Sequence, residues 1–468
     1  MKLPAILEEI SLTLYSKGAK AIVVGGAVRD HFLKLPIKDY DIEVYGLNQV
    51  EELESVLSSF GHVSAVGKSF GVLKLHLKEE AYDFSFPRTE RQSGIGHKAF
   101  DVSCDGSLRF EEASRRRDFT INAMGYDIVT RVFLDPFNAQ EDMKNKILRH
   151  VDHVTFIEDP LRVYRAVQFA ARFRFRLSEE TFKICKEMVE KGMLETLPKE
   201  RIYMEWKKLL LKAPKPSQGF ELMRELGILR YFPELEALVG TEESSDHHLE
   251  GDAWMYTMLS LDAMAQQIAR SREQREEIDD KQALKYMFAI LCLDLGKPLT
   301  TKIIDGRVKA IGYEKAGLEP TKKLLYRLMD EHDFINTLLP LVEHHLKPLQ
   351  LYQEGAKAGA IKRLATKVNI EELVRVARAY FSGHMSEEGD SDVFKAGDWL
   401  LTQAKELNVV NTPIENLLQG RDLIALGLEP SPAFTEILNE VYEKQMDGEF
   451  RNKEEALAYV RYNYITNT

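Results

Sequence analysis

The sequence predicts an α/β head followed by a long helical body. Strand-like patterns lie in the first part of the chain, at AIVV (21–24), DYDIEVYG (39–46), FGVLKLHL (70–77) and AYDFSFP (81–87), and become rare further on. Beyond about residue 150, apolar residues recur with helical spacing, as in EDPLRVYRAVQFAARFRF (158–175). Because the spacing of the apolar residues changes from strand-like to helical, we expect a mixed sheet in the head and helices in the remainder.

The length of 468 residues exceeds what one ordinary hydrophobic core organises, so several domains are expected. APKPSQGF (213–220) combines two prolines, a serine and a glycine and predicts a helix break. A second break is predicted around 383–392. The predicted division is a catalytic head (1–148), a nucleotide-selecting helical neck (149–215), a helical body (216–390) and a helical tail (391–468).

Net charge, apolar runs and cysteine content limit the classes of protein to which this chain can belong. The net charge of −11 gives no global sign of nucleic-acid binding, although a local basic stripe would still bind phosphate. No apolar run approaches the roughly 20 residues of a membrane span. The cysteines are separated, odd in number and form no CxxC pair, which favours a reducing cytoplasmic location without disulfides or a zinc site (Cys104, Cys185, Cys292).

IKDYDIEV (37–44) alternates carboxylates with other residues. In a strand, Asp39, Asp41 and Glu43 would point to one face, where like charges require a cation between them. Hard carboxylate oxygens suit Mg²⁺. Glu43 either continues this face or pairs with a nearby base, and the alternative for the Asp-x-Asp pair is a solvated strand edge.

A Gly25-Gly26 turn precedes this acidic strand by about a dozen residues. Its bare backbone lets N–H groups approach a phosphate, with Arg29 on the first helical turn that follows, although such a turn is often only a tight turn. The two motifs together join a phosphate cradle to a metal-binding carboxylate pair, and two metals held this way can activate a 3′-hydroxyl and stabilise the leaving pyrophosphate.

Asp83 lies in the predicted strand AYDFSFP (81–87). It is either a third acid near the metals or a structural partner of Arg88.

Four motifs together carry a family resemblance. GGAVRD, KDYDIEV, RRRDFTINA and EDPLRVYRAVQFAARF, in this order, resemble the class II tRNA nucleotidyltransferases over about residues 18–220. This family has a DNA polymerase β-like mixed sheet and includes CCA-adding enzymes, CC- and A-adding relatives and bacterial poly(A) polymerases. The resemblance implies Mg²⁺ as cofactor, CTP and ATP as substrates and tRNA as partner, with no role for DNA.

The resemblance also implies roles for single residues. Gly26 and Arg29 would contact the nucleotide phosphates, and Asp39 and Asp41 would hold the metals. Arg117 and Asp118 of RRRDFTINA would read the ribose, because a carboxylate that accepts from a 2′-hydroxyl distinguishes ribonucleotides from deoxynucleotides. A surface charge run is the alternative, which the following FTINA disfavours.

EDPLRVYR (158–165) predicts a helix start at Asp159-Pro160. Arg162, three residues on, would share a helix face with Asp159, and together they can imitate the edge of a partner base. The resemblance implies that this pair accepts CTP and ATP but not UTP or GTP, whereas the alternative is a surface salt bridge. Arg165 would reach the triphosphate. The following arginines would contact tRNA or form a solvated face (Arg172, Arg174, Arg176).

Two further segments carry predictions. Residues 88–108 are polar and contain glycine, which predicts a mobile loop whose length favours an A-adding or complete enzyme. LLQGRDLIALGLEPSPAFTEILNEVYEKQMDGEF (417–450) resembles the tail of bacterial family members and would reach the tRNA elbow or be purely structural.

The body resembles an HD-type phosphohydrolase domain that lacks its metal ligands. Tyr256, Leu293 and Tyr313 stand where that domain has histidines, and Asp294 remains. A single carboxylate makes a poor transition-metal site, so the fold is predicted to persist as scaffold without activity. Four nearby histidines are not expected to be ligands (His247, His248, His344, His345).

Three functions therefore compete. CCA addition to tRNA is favoured, and a poly(A) polymerase or a CC- or A-adding enzyme shares nearly all the motifs. Poly(A) polymerases of this group usually end in a strongly basic extension, whereas this chain ends in the mixed-charge FRNKEEALAYVRYNYITNT. An HD-type phosphohydrolase is disfavoured by the missing histidines.

Overall fold

The structure is a computed structural model that describes residues 1–47, 49–65, 72–77, 80–92, 100–243, 251–384 and 394–465. The chain forms two compact units, one of Met1–Ala213 with Gln218–Ile228 and the other of Pro214–Ser217 with Leu229–Thr468. The helix break predicted at 213–220 is confirmed, because one helix ends at Lys212 and the next begins at Ser217. The finer division into four domains stays a prediction.

A mixed sheet forms the centre of the first unit. Its described strands are β1 (Lys20–Val24), β2 (Asp41–Tyr45), β3 (His62–Ala65), β4 (Val72–Leu77), β5 (Glu80–Ser85), β8 (Gly125–Asp127) and β9 (Phe133–Leu134). They lie in the order β3-β4-β5-β2-β1-β8-β9, in which β2 and β5 run parallel and the other neighbouring pairs are antiparallel. The four predicted strands are confirmed, although the acidic one begins at Asp41, so that Asp39 precedes it.

The prediction of a mobile loop at 88–108 is wrong for the described ends of this segment. Strands β6 (Arg88–Gln92) and β7 (Phe100–Cys104) pair in an antiparallel ribbon, and residues 93–99 lie outside the described residues. A ribbon that belongs to no larger sheet does not require the apolar alternation by which strands are recognised in sequences. A second small pair, parallel, joins β10 (Ile147–Leu148) to β11 (Arg176–Leu177).

Helices surround the sheet and continue beyond it in the first unit. Arg109 precedes α4, and Pro160 occupies the N-cap position of α7. The helices are α1 (Ala5–Ser16), α2 (Gly26–Phe32), α3 (Val50–Ser58), α4 (Phe110–Ser114), α5 (Ala139–Lys144), α6 (His153–Glu158), α7 (Leu161–Phe173), α8 (Glu179–Glu190), α9 (Lys199–Lys212) and α10 (Ser217–Leu226).

The second unit is predominantly helical where it is described, and it contains an antiparallel hairpin of β12 (Thr301–Ile304) and β13 (Arg307–Ala310) that the sequence analysis missed. The predicted break at 383–392 overlaps the end of a helix at His384, and residues 385–393 lie outside the described residues. Its helices are α11 (Pro233–Glu236), α12 (Ala253–Glu273), α13 (Asp280–Cys292), α14 (Lys297–Thr300), α15 (Tyr313–Ala316), α16 (Leu318–Tyr326), α17 (His332–His344), α18 (Lys347–Gln353), α19 (Ala358–Ala365), α20 (Ile370–His384), α21 (Lys395–Glu406), α22 (Gly420–Ala425), α23 (Ala433–Asp447) and α24 (Lys453–Tyr464).

Helices α22 to α24 enclose an apolar cluster that includes Leu423, Ile437, Val441 and Val460. The last segment therefore has the internal packing of a small helical module. Across the described parts of both units, no helix has the combination of length and apolar character needed to cross a membrane.

Candidate active site

The sheet topology brings the glycine turn to the acidic strand. Val24, the last residue of β1, pairs with Asp41, the first residue of β2, so the turn at Gly25 begins beside that carboxylate. On the other side of β2, Asp41 is in register with Asp83 of the parallel strand β5. Two carboxylates from adjacent strands and the start of α2 thus meet at one end of the sheet.

Asp39 and Asp41 are both exposed at this end of the sheet. The surrounding protein raises the pKa of Asp41 by desolvating its carboxyl group, Arg117 opposes this, and Asp83, Asp39 and Glu43 raise it further by repulsion. Asp83 forms an ion pair with Lys74 at 3.3 Å. The acidic groups therefore repel one another strongly enough that an additional cation would stabilise them.

Glu43 faces inward instead and is paired with basic groups. It is 1% exposed, and its Oε1 accepts from Arg117 at 2.8 Å and from Arg116 at 3.2 Å. The hydroxyl of Tyr45 donates to Oε2 at 2.8 Å. Although burial opposes ionisation, Arg117 and Arg116 lower the pKa of Glu43. Of the two sequence interpretations, pairing with a nearby base is the one that the structure confirms.

The conformation at Gly25 leaves room for one of these arginines. Gly25 has φ +69° and ψ −127°, a backbone region that residues with a side chain rarely adopt. A Cβ atom there would lie 3.2 Å from Nη1 of Arg117. The guanidinium therefore lies between the glycine turn and Glu43, at the base of the acidic end of the sheet.

Asp118 lies in a buried polar network and is 7% exposed. Its Oδ2 accepts from Nε of Arg165 at 2.7 Å, and its Oδ1 accepts from Nδ2 of Asn122 at 2.9 Å. Burial alone would raise the pKa of Asp118, but the charge of Arg165 and the hydrogen bond from Asn122 lower it. The carboxylate is therefore ionised and held in one orientation.

Arg29, predicted to contact phosphates, is 6% exposed and bonded within the protein. Its Nη1 donates to Asn122 at 2.7 Å, and its Nε donates to Asp30 at 2.8 Å. The guanidinium also lies over the rings of Phe169 and Phe173, at 5.4 and 4.9 Å from their centroids. A phosphate contact for Arg29 stays a prediction, whereas its structural contacts fix α2 to α7.

Asp159 and Arg162 lie at the start of α7 without pairing with each other. Asp159 lies before the helix, where its Oδ1 accepts from the N–H of Leu161 at 3.1 Å and its Oδ2 from Arg201 of α9 at 3.0 Å. Arg162 donates to the carbonyl oxygens of Thr155 and Arg116, at 2.7 and 2.6 Å. The alternative of a salt bridge within the pair is therefore wrong.

The remaining arginines of this segment differ in environment. Arg165 is half-buried against Asp118, which raises its pKa. Arg172 lies over the ring of Phe173 at 4.9 Å, and burial lowers its pKa. Arg174 ends α7 in a left-handed conformation with φ 55°, and Arg176 belongs to β11. These arginines therefore lie in different environments, and a tRNA contact for Arg172, Arg174 and Arg176 stays a prediction.

The sequence analysis missed several partners. Asn122 links Arg29 to Asp118, Arg116 links Glu43 to Arg162, and Arg201 holds Asp159. Asn122 stands within the quoted RRRDFTINA motif, so that motif contained a signal for it. Arg201 lies 42 positions from Asp159, and only the fold brings the two together.

The acidic end of the sheet fits a hard divalent cation. No group of three or more histidine, cysteine, aspartate or glutamate side chains within the described residues forms a closed metal site. Mg²⁺ is typically held by only one or two carboxylates, with substrate phosphates and water supplying its other ligands. The exposed oxygens of Asp39 and Asp41 suit this kind of open site.

In the HD-like segment, Asp294 is 1% exposed and its Oδ1 accepts from the Tyr380 hydroxyl at 3.0 Å. The hydroxyl of Tyr313 lies 3.0 Å from Nε2 of His345 and 3.0 Å from the hydroxyl of Tyr380. Burial lowers the pKa of His345. Tyr256, Leu293 and His344 are buried, whereas two of the four histidines lie outside the described residues (His247, His248).

Comparison with known proteins agrees with this geometry. Residues 21–149 match the family described as "Poly A polymerase head domain", and residues 174–238 match "Probable RNA and SrmB- binding site of polymerase A". The multifunctional CCA protein of Acinetobacter baylyi is 35% identical over 352 residues, which cover 74% of this chain and 78% of that protein. The chain belongs to the class II CCA-adding enzyme family. Its counterpart from Mannheimia succiniciproducens is 40% identical over 310 residues, 65% of this chain and 69% of that protein.

Solved structures of CCA-adding enzymes share the fold. The Bacillus stearothermophilus CCA-adding enzyme in complex with CTP has a TM-score of 0.67 and 23% identity, covering 100% of this chain and 99% of that one. The Thermotoga maritima CCA-adding enzyme complexed with tRNA has a TM-score of 0.61 and 23% identity, covering 98% and 95%. The predicted α/β nucleotidyltransferase head with a helical remainder is therefore confirmed. Nucleotidyltransferases of this family generally use a divalent metal ion.

Proposed function

We propose that this CCA-adding family member extends the 3′ end of tRNA with CCA, using CTP and ATP without a nucleic-acid template. The observation that carries the proposal is the meeting of Asp41 and Asp83 with the Gly25 turn at one end of the sheet. The names of the relatives, multifunctional CCA proteins, support the choice of substrate. Because tRNA is the proposed substrate, we infer that the enzyme acts in the cytoplasm.

We assign the metal-binding role to Asp39 and Asp41, with Asp83 as a third acid beside them. Bound Mg²⁺ would polarise the attacking 3′-hydroxyl and stabilise the leaving pyrophosphate. The protein's own contribution is to hold the carboxylates close together. Arg117 partly offsets the burial and the carboxylate repulsion that raise the pKa of Asp41.

The nucleotide-binding role is assigned to the elements around this acidic end. The backbone of Gly25 and Gly26 at the start of α2 approaches the phosphates, and Arg29 of the same helix contacts them. Arg117 and Asp118 contact the ribose. Asp159 and Arg162 present an acceptor and a donor fork to the base, and each Nη of Arg162 retains a donor beyond its bond to a carbonyl oxygen. Arg165 lies between Asp118 and the expected position of the triphosphate.

A poly(A) polymerase is the second candidate, favoured by the descriptions of the two matched families. The test is nucleotide incorporation on three tRNAs that end at the discriminator base, after one C and after CC. CTP and ATP are offered separately and together. We expect growth of the first tRNA by CCA, and no incorporation by the D41A variant, which should still bind tRNA.

The other possible results of this incorporation assay would each identify a different activity or refute the metal site. A long ladder of A from ATP alone would establish the poly(A) polymerase. Addition of only CC, or of only A to the CC-ended tRNA, would reveal a partial enzyme that works with a second one. Full activity of D41A would refute the assignment of the metal site.

A further inference from the structure

Glu43 joins three parts of the candidate active site that are distant in sequence. It lies on the same strand as Asp41, two residues on, and its buried carboxylate holds both Arg116 and Arg117. These arginines lie 73 and 74 positions further along the chain. A single carboxylate oxygen, Oε1, thus fixes the RRRD segment to the acidic strand.

The link continues from this segment to the residue assigned to base selection. The main-chain oxygen of Arg116 accepts from Nη2 of Arg162 at 2.6 Å. Because Arg116 is held at its side chain by Glu43 and at its carbonyl by Arg162, a displacement of this residue moves the Arg162 fork. Arg117, the adjacent residue, moves with it.

The environment of Glu43 makes these bonds strong. The side chain is 2% exposed, while the partner side chains of Arg116 and Arg117 are 20% and 17% exposed. Charge-assisted hydrogen bonds in such a water-poor setting are stronger and more directional than those at the surface. The remaining oxygen, Oε2, accepts from the Tyr45 hydroxyl and bonds to neither arginine.

We propose that Glu43 is a positioning residue that sets Arg117 and Arg162 relative to Asp41, and so couples nucleotide choice to the metal-binding strand. Glu43 touches neither base nor metal in this role and acts only through the two arginines. The inference rests on the proposed function, because it assumes that Arg117 and Arg162 contact the nucleotide.

The test compares E43Q with the matched variant Y45F. Glutamine has the size of glutamate but carries no charge, so the charge-assisted bonds from Arg116 and Arg117 are replaced by neutral ones to its single amide oxygen. Y45F removes only the hydroxyl bond to Oε2. For E43Q we expect unchanged tRNA binding, a roughly tenfold rise in the KM for CTP and ATP, the scale of one charge-assisted hydrogen bond, and increased misincorporation of UTP and GTP. Y45F should retain wild-type discrimination.

A double-mutant cycle separates positioning from general destabilisation. If Glu43 acts through Arg117, E43Q should add little to the KM effect of R117A, because the coupled partner is already gone. Fully additive effects, or an E43Q enzyme with wild-type KM and wild-type nucleotide choice, would overturn the proposal. Thermal unfolding of each variant establishes that the compared proteins are folded.

Two further controls cover the other outcomes. If E43Q does not fold, R116K tests the same link, because it keeps the carbonyl that holds Arg162 while it removes the guanidinium fork; unaltered nucleotide choice in R116K would then refute the role. If the wild-type chain adds no nucleotide to any tRNA, the proposed function itself fails and the positioning role with it. An active wild type, an inactive D41A and an unaffected E43Q would overturn the positioning role alone.

Discussion

The ammonium nitrogen of Lys297 lies 3.0 Å from Oδ1 of Asp294, with the two side chains 4% and 1% exposed. Lys297 also contacts Glu243 and lies over the rings of Tyr313 and Tyr380, at 5.1 and 5.7 Å from their centroids. The carboxylate that remains from the HD-type pattern thus has an internal cation as partner. The pair belongs to the packed interior of the second unit.

Replacing Lys297 with methionine should destabilise the second unit by about 3–5 kcal/mol, because it leaves the buried Asp294 without its counter-charge. Urea denaturation followed by circular dichroism measures the loss. The matched control is K322M, which breaks the exposed ion pair with Glu319 and should cost less than about 1 kcal/mol. Equal effects of the two substitutions would contradict a special role for the buried pair.

Replacing Gly25 with alanine should raise the KM for both nucleotides. The added Cβ requires an unfavourable backbone conformation and meets Arg117 at 3.2 Å. G18A is the control, because Gly18 also has positive φ but its Cβ would have no atom within 4 Å. Steady-state kinetics should separate the two variants even where their unfolding temperatures fall equally. A G18A variant with the same kinetic defect would argue for backbone strain alone.

Replacing Arg162 with alanine should reduce the discrimination in favour of CTP and ATP against UTP and GTP. The effect on tRNA binding should be smaller. The guanidinium is the donor fork that we assign to the base edge, and it lies at the start of α7. Incorporation of each of the four nucleotides and tRNA binding by filter assay give the two quantities. Unchanged nucleotide preference would refute the base-reading role. R272A, at an arginine of α12 that pairs with Asp280, serves as the arginine control.

Protonation of the Asp118 carboxylate should lower the free energy of unfolding of the first unit as the pH falls. The folded pKa of this carboxyl is lowered, so its contribution is present above the unfolded pKa of about 3.9 and is lost as the pH falls through the folded value. Urea unfolding at pH 6, 4 and 3 should therefore show a smaller loss for D118N than for wild type. D305N, at an exposed carboxylate of the second unit, should follow the wild type. An identical pH dependence for D118N would contradict the prediction.

The sequence allowed the strands of the head and the helix break after Lys212 to be predicted, because apolar period and proline content are local signals. It did not allow the partners of Asp159 or Glu43 to be predicted, because these bonds join residues tens of positions apart. The ribbon of β6 and β7 was missed for a related reason, since its polar sequence has no strand-like alternation. The position of Asp39 before β2, where an alternating strand face was expected, is a boundary error of two residues.

The hydrogen bonds of Asp118 have a consequence for how a nucleotide enters. Oδ1 already accepts from the N–H of Phe119 and from Asn122, and Oδ2 faces both Nε and Nη2 of Arg165, at 2.7 and 2.5 Å. A carboxylate has about four acceptor positions, so a ribose hydroxyl competes with Arg165 for Oδ2. In the proposed mechanism the incoming triphosphate supplies the replacement anion for that arginine. When a nucleotide enters, Arg165 then exchanges the carboxylate of Asp118 for a phosphate. A nucleoside has no phosphate, so its binding would leave Arg165 without a replacement anion.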